Sequence, residues 1–468
     1  MVRKLFLPAV LFVFLPGCAT YYQQNLDFNS QFEKGDLQTA LTTLRNSEEQ
    51  ARGRSRFIYF GNNGLLLSIL GQYEQSNHFF EKAFLFGEDY RINYVNEAIS
   101  YLTNPTVTVY RGEDHEHLML LYFKAINYLK MNEPEKALIE CRRMNIRLNQ
   151  LSDKYKSERK FQHDAFIHNL MGIIYQSTGD YNNAFIAYRN ALTHYEGDYA
   201  TMFQATVPPQ LKLDLLNTAY WSGLTEEFDE FKTRFNLPDY QPKRPDAELV
   251  FFWHNGLCPV KSEWSVNFAV VNNGDGNFLF VNDQLGVSFP FNVSSEDDRK
   301  SLADLEIFRV AFPRYILRPE YYRGATILTD SVAYPLQKGE DISRIAFKSL
   351  EQRMMAEFAK GLLRAALKKA AEHSVKKEDE NLGAMLGVIN AMTEKADTRN
   401  WQTLPSSIYY ARVPLREGDN QVEFRLRGPA NDAVYRFKYV PQKAQTLFHT
   451  FSSLETTATG GYVPFSVN

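Results

Sequence analysis

The sequence predicts an α + β multidomain chain: an α-helical solenoid first, then a β-rich, sandwich-like domain with a helical hairpin inserted in it. Three observations predict this. Apolar residues recur at three and four from about Tyr21 to Phe235, the helical period. Three prolines within Pro238–Pro245 then interrupt the pattern. Beyond them the apolar period falls to two, with Asn-Gly and Asn-Asn-Gly-Asp-Gly turns between short runs. The boundaries that follow are a leader over 1–17, a helical domain over 18–237 and a stiff linker over 238–246. A β-rich domain over 247–452 comes next, with its helical insertion at 341–396, and then a flexible tail over 453–468.

With 44% hydrophobic and 23% charged residues, the 468-residue chain can bury sizeable cores, which rules out wholesale disorder. A net charge of −3 argues against a nucleic-acid partner. Three cysteines make neither a disulfide scaffold nor a four-Cys zinc site. No apolar run reaches the ~18 residues of a membrane-spanning helix.

Arg3 and Lys4 precede an apolar run from Leu5 to Phe14, and Leu15-Pro16-Gly17-Cys18 follows at once. Charge, length and a small-residue cleavage site mark a secretory signal peptide. Leu-x-Gly-Cys resembles the bacterial lipobox, which implies cleavage before Cys18 and lipid on its thiol. Several long acyl chains, at about 0.8 kcal/mol per buried CH₂, hold a protein on a bilayer. Ala19 stands where retention in the inner membrane typically uses Asp, so the expected place is the periplasmic face of the outer membrane. The covalent lipid on Cys18 is the one non-protein group expected; no cofactor is.

Within the helical part, Met171-Gly172, Tyr175, Gly179, Tyr181, Ala184, Tyr188 and Ala191 resemble a tetratricopeptide repeat. A small residue stands where the two helices meet, and Gly-Asp-Tyr forms the turn. Gly64, Leu67, Gly71, Tyr73, Ser76, Phe80 and Ala83 repeat these offsets. Ala125, Tyr128, Pro134, Ala137 and Cys141 do so with Asn132 in place of the turn glycine. Weaker copies centre on Gly35 and Gly223. Stacked helix pairs bury one continuous core and leave a concave face that suits a protein partner.

Glu116, Asn127, Glu140, Arg142 and Arg143 are the candidate partner-binding cluster on that face. Glu140 and Arg143, three apart, can also form an ordinary helix-surface pair. Glu113 and Asp114 suit a helix N-terminus. His115 and His117 alternate, so they point apart on a helix, and no metal site is expected from them. Cys141 occupies a packing position, and with Cys258 is expected as a buried free thiol, although the periplasm would permit a disulfide between them.

Strands are expected at Glu248–Trp253, Ser265–Val271, Glu306–Ala311, Ala325–Ala333, Ser407–Pro414, Gln421–Leu426 and Ala433–Val440, with a hairpin turn at Glu417–Asn420. Between them the helix over 342–377 carries nine basic residues and three Glu. It reads either as a hairpin packed on the sheet with a solvated basic face, or as an element docking on an anionic surface.

Further residues carry a second, wider resemblance. They include Tyr110-x-Gly112, Ala137-Leu-x-Glu-x-Arg-Arg143, Pro208-Pro-x-Leu-Lys212, Asn255-Gly-x-x-Pro-Val-Lys261, Ala311-Phe-Pro-x-Tyr315 and Ala396-Asp-Thr-Arg-Asn-Trp401. Together they resemble a family of tetratricopeptide-repeat-containing outer-membrane lipoproteins of bacteria. The resemblance implies an envelope protein working beside another lipoprotein or a cell-wall-synthesis component, and brings no catalytic residues. Gly-x-Ser-x-Gly, Gly-x-x-x-x-Gly-Lys and His-Glu-x-x-His are all missing. The reading is a non-enzymatic, membrane-anchored adaptor. The alternative is a glycan-binding or glycan-cleaving protein in which Trp401 stacks on a sugar and Asp397 supplies a carboxylate. Asp397 and Arg399 would otherwise brace the chain around Trp401.

Overall fold

The computed structural model describes residues 19–89, 109–154, 164–284, 286–351, 362–363, 365–367, 396–429 and 431–456. The leader, Cys18, most of the basic helix and its insertion, and residues 457–468 lie outside them.

Short helices α1 (Tyr21–Gln24), α2 (Leu26–Glu33) and α3 (Leu37–Arg45) lead into antiparallel pairs. These are α4 (Arg56–Ile69) with α5 (Tyr73–Asp89), α6 (Asp114–Lys130) with α7 (Pro134–Lys154), and α8 (Ala165–Ser177) with α9 (Tyr181–His194). The single turn α10 (Ala200–Phe203) precedes the last pair, α11 (Pro209–Trp221) with α12 (Thr225–Arg234). Small residues set the spacing within a pair. A Cβ on Gly64 would stand 2.5 Å from the Phe80 ring, and one on Gly172 would stand 2.4 Å from Tyr188. Only glycine admits that approach. Asn132 takes the same left-handed conformation, at φ 60°, as Gly179 at φ 81°. Asparagine tolerates that region better than other residues with a Cβ, so the turn closes without glycine.

The β-rich part holds twelve strands among the described residues, more than the seven the alternation announces. They are β1 (Ala247–Asn255), β2 (Val260–Asn272), β3 (Asn277–Asn282), β4 (Val287–Asn292), β5 (Ile307–Ile316) and β6 (Gly324–Thr329). The rest are β7 (Val332–Pro335), β8 (Gln337–Asp341), β9 (Ser407–Leu415), β10 (Asn420–Arg427), β11 (Ala433–Tyr439) and β12 (Thr446–Ser452). They form three four-stranded sheets, ordered β12-β1-β9-β8, β11-β10-β6-β7 and β4-β3-β2-β5. The pairing is antiparallel apart from β1 with β12, where Glu248 faces Thr446 in parallel register.

Two expectations are corrected here. The run Ala325–Ala333 is a hairpin, because Asp330 and Ser331 both take positive φ and divide it into β6 and β7. Glu417–Asn420 is no hairpin turn, because β9 and β10 belong to different sheets. It is an arch between two layers, closed by the Asn420 amide donating to the Arg416 and Gly418 carbonyls.

The strand β1 explains how the halves meet. Its alternation is masked because both faces are covered. Leu249, Phe251 and Trp253 pack with Ile327, Phe424 and Leu426 of the second sheet, giving the sandwich. Val250 and Phe252 point the other way, into one core shared with the helices. The Phe252 ring lies 6.5 Å from Phe166 on α8, and His254 meets the Tyr122 hydroxyl of α6 at 2.9 Å. The first helices of the pairs therefore face the chain's own sheet.

The third sheet has a separate core of Phe268, Phe280 and Phe308. Leu362 and Ala366, apolar positions of the basic helix, are buried in it. Of the expected tail over 453–468, residues 457–468 lie outside the described residues. Ser453 accepts from the Trp253 indole N–H at 3.0 Å and donates to Asn255 at 3.0 Å, so 453–456 are packed in place. Cys141 and Cys258 are both buried and free.

Candidate functional site

The segment 396–406, which leads into β9, runs along the first helices of the pairs. Trp401 is 0% exposed, its ring against Gly61 of α4, where a Cβ would stand 2.9 Å away, and within 6.4 Å of Phe57. Its backbone N–H donates to Glu116 Oε1 at 2.6 Å. Glu116 Oε2 accepts from the Glu113 N–H at 2.9 Å and from the Tyr110 hydroxyl at 2.8 Å. Glu113 caps α6 reciprocally with Glu116 and also pairs with Lys261 of β2. Asp397 clamps Arg399 through Oδ1 at 2.8 Å and Oδ2 at 2.6 Å, and that guanidinium lies 5.3 Å from the Tyr110 ring. The Asp397–Trp401 motif is thus a brace between sheet and helices. A fully enclosed Trp401 has no face for a sugar, and the glycan reading of this region is corrected accordingly.

Burial pushes the Glu116 carboxyl up to about 7, helped by the Glu113 charge and opposed by the Trp401 and Glu113 N–H groups and Lys261. A carboxyl held above its ordinary 4.5 binds its proton more tightly folded than unfolded. The stability it contributes is complete below about 4.5 and is lost as pH rises through about 7. Urea unfolding across that window is expected to show the decline, and Glu116→Gln to flatten it. Equal slopes in both proteins would place the titration on another group.

The other four members of the predicted cluster separate as well. Asn127 is interior: its amide donates to Ser76 and Asn77, both at 2.8 Å, and its carbonyl accepts from Ser68 at 2.6 Å. The concave face to which the repeat pattern assigns it is closed at this point by neighbouring helices, which leave Asn127 0% exposed. Arg142 turns toward α8 and donates to the Tyr175 hydroxyl at 3.2 Å. Only Glu140 and Arg143 stay together, paired at 2.9 Å beside an open groove of about 650 Å³ along α5, α6 and α7. Lys124 joins Glu140 at 2.9 Å, and Arg143 joins Glu81 at 3.1 Å, making a closed network of four charges. Burial pushes the Glu81 carboxyl up, but hydrogen bonds from Arg143 and Lys124 outweigh it and hold the group below its ordinary value. Glu81 escapes sequence reasoning because its partners lie on other helices, with no local spacing to announce them.

A second opening, of about 1040 Å³, lies where α8, α9 and α11 meet β1, β9 and the 238–246 linker. Arg412 of β9 forms its floor, buried against Asp214 of α11 at 3.1 Å and Glu248 of β1 at 2.7 Å. Arg412 also donates to Gln176 at 2.7 Å and the Tyr188 hydroxyl at 3.0 Å. Burial pushes the Asp214 carboxyl up in spite of Arg412. On the wall, Tyr181 and Trp221 meet edge to face at 5.2 Å, and the Arg244 guanidinium of the linker lies 4.9 Å and 5.2 Å from their centroids.

No family model matches the chain, and no curated protein does. Among solved structures it is similar to a Rap protein complexed with Competence and Sporulation Factor, at 17% identity and a TM-score of 0.29. That match covers 46% of this chain, which spans about half (52%) of the other. It is also similar to BtubC from P. vanneervenii, at 16% identity and TM-score 0.30, covering 47% of this chain and 82% of that one. A third is a kinesin light chain of Podosopora anserina with nearly identical TPR-like repeats, at 12% identity and TM-score 0.30, covering 46% and 91%. These likenesses concern the fold alone. The helix pairs, their left-handed turn residues and the three sheets make the chain an α + β multidomain protein with a TPR-like helical half.

Proposed function

We propose that the chain is a non-enzymatic, protein-binding adaptor of the cell envelope, held by lipid on Cys18 at the periplasmic face of the outer membrane. Its protein partner docks in the groove of Glu81, Lys124, Glu140 and Arg143. One observation carries the reading: the first helices of the pairs are occupied by the chain's own sheet, whereas this groove stays open. Its charges are balanced within the chain, so the side chains are ordered before a partner arrives and little rotamer entropy is lost on binding. Arg143 lies over the Phe84 ring at 3.8 Å and is still 24% exposed, and Ile139 on the rim is 51% exposed. Arginine and aromatic anchors are the residues that interface hot spots favour. The partner would be another lipoprotein or a cell-wall-synthesis component.

A photo-crosslinker at position 139, compared in intact cells with one at the exposed Val434 on β11, tests this. The expected result is one dominant protein adduct from position 139, lost on Arg143→Glu. Equal adducts from both positions, or none, would end the adaptor reading. Cys18→Ser is expected to abolish lipid labelling and release the chain from the outer-membrane fraction.

A further inference from the structure

We infer that the cleft above Arg412 is a binding site for a short, uncharged oligosaccharide, with Tyr181 and Trp221 as its platform and side-chain amides as its hydrogen-bonding groups. The site shares no lining residue with the partner groove, so either reading can fail alone.

The amides carry the argument. Gln176 is fixed through its carbonyl, which accepts from Tyr188 and Arg412. Asn217 accepts from the Tyr240 hydroxyl, Gln337 from the Gln210 backbone N–H, and Gln445 from the Gln442 backbone N–H. Gln210 is held the other way round, by its amide donating to Asp214. In each case the opposite end of the amide has no partner among the described residues. All five side chains line the cleft. Four orientated donors and one acceptor, spread over α8, α11, β8 and the loop before β12, match hydroxyl oxygens spaced around a ring better than a single polar head.

The charges point the same way. Three acidic and three basic side chains line the cleft, and the buried ones are engaged with each other. Taken together the lining is balanced, three charges against three, and favours neither an anion nor a cation. Flat aromatic faces beside planar amides suit the apolar C–H faces and equatorial hydroxyls of a sugar. A volume of about 1040 Å³, at the top of the usual small-ligand range of about 300–1,000 Å³, leaves room for several linked rings.

An extended peptide fits less well. The strand at the rim, β7, has only four residues and ends at Pro335, which has no N–H to donate to an added strand. Arg244 covers the platform, but it is exposed and makes no ion pair among the described residues. It can therefore yield its place to a sugar ring.

Calorimetric titration of the full chain with chitotetraose and cellotetraose tests the inference, with an oligogalacturonate and pooled random decapeptides as competing probes. A neutral tetrasaccharide is expected to bind. Trp221→Ala should weaken it roughly 30-fold. Gln445→Ala, on a surface turn, should weaken it about fivefold to tenfold. Arg244→Ala should leave binding intact or tighten it. The inference is overturned if neither neutral probe binds up to about 10 mM. It is equally overturned if folded Trp221→Ala and Gln445→Ala proteins bind as the parent does. Binding of the anionic probe or the peptides alone would overturn it too, and loss of that binding on Arg244→Ala would assign the cleft to anions.

Discussion

Replacing Arg412 by alanine is expected to cost the fold about 3–5 kcal/mol, the range for removing one partner of a buried ion pair. Arg412 and Asp214 are almost wholly enclosed, at 4% and 1% side-chain exposure, and Glu248 is mostly so. The guanidinium also donates to Gln176 and Tyr188, so its loss takes one donor from each of four groups on four elements. Asp214, already pushed up by burial, would be pushed further once its counter-charge has gone. In the variant the lost stability should therefore return in part as pH is lowered and that carboxyl takes a proton. Arg412→Lys keeps the charge but not the planar fork, and should fall between the two. Urea midpoints at neutral and acidic pH measure all three. An Arg412→Ala protein within about 1 kcal/mol of the parent would mean the pair contributes nothing beyond a surface bridge.

Trp401→Ala is expected to cost a further class of energy, about 3–5 kcal/mol for an indole removed from a closed core. The ring fills the space left open by Gly61 and packs between Phe57 and Phe80, with centroids 6.4 Å and 6.0 Å away. Helices and sheet share one core here, so the parent should unfold in one transition by far-UV and near-UV signals alike. The variant should show a lower midpoint and separated transitions. Coincident transitions at the parental midpoint would show that the indole does not join the halves. Any loss of glycan retention in this variant would then report unfolding, not a missing stacking surface.

The helix pairs were legible because their determinants are local. Gly64 with Phe80 and Gly172 with Tyr188 lie within one hairpin, and spacing alone exposes them. Asn132 showed that even a departure from the repeat can be read through its backbone preference. The β half was less legible. Strands β3 and β4 are interrupted by Asn, Ser and Pro290, and β12 finds its partner β1 almost at the other end of the domain. The site residues divided on the same physical ground. Glu140 and Arg143 pair within one helix and could be found. Glu116 and Trp401 meet across a gap of 285 residues, and a polar string around a tryptophan looks like a binding surface until the helices close over it. The cleft amides gave no signal as a group: Gln176, Asn217 and Gln337 are set by partners distant in sequence, while Gln210 and Gln445 are held locally by Asp214 and Gln442.

The pairing of β1 with β12 has a consequence for biosynthesis. The segment Leu249-Val-Phe-Phe-Trp253 is complete on the ribosome long before either neighbour, β9 or β12, has been translated. Through that interval an apolar strand has both edges unpaired and its Leu249, Phe251 and Trp253 face without Phe424 and Leu426 of β10, the condition that invites association with other chains. The sheet can be finished only once Thr446–Ser452 has emerged. Until then the edges of the central strand stay open to a wrong neighbour.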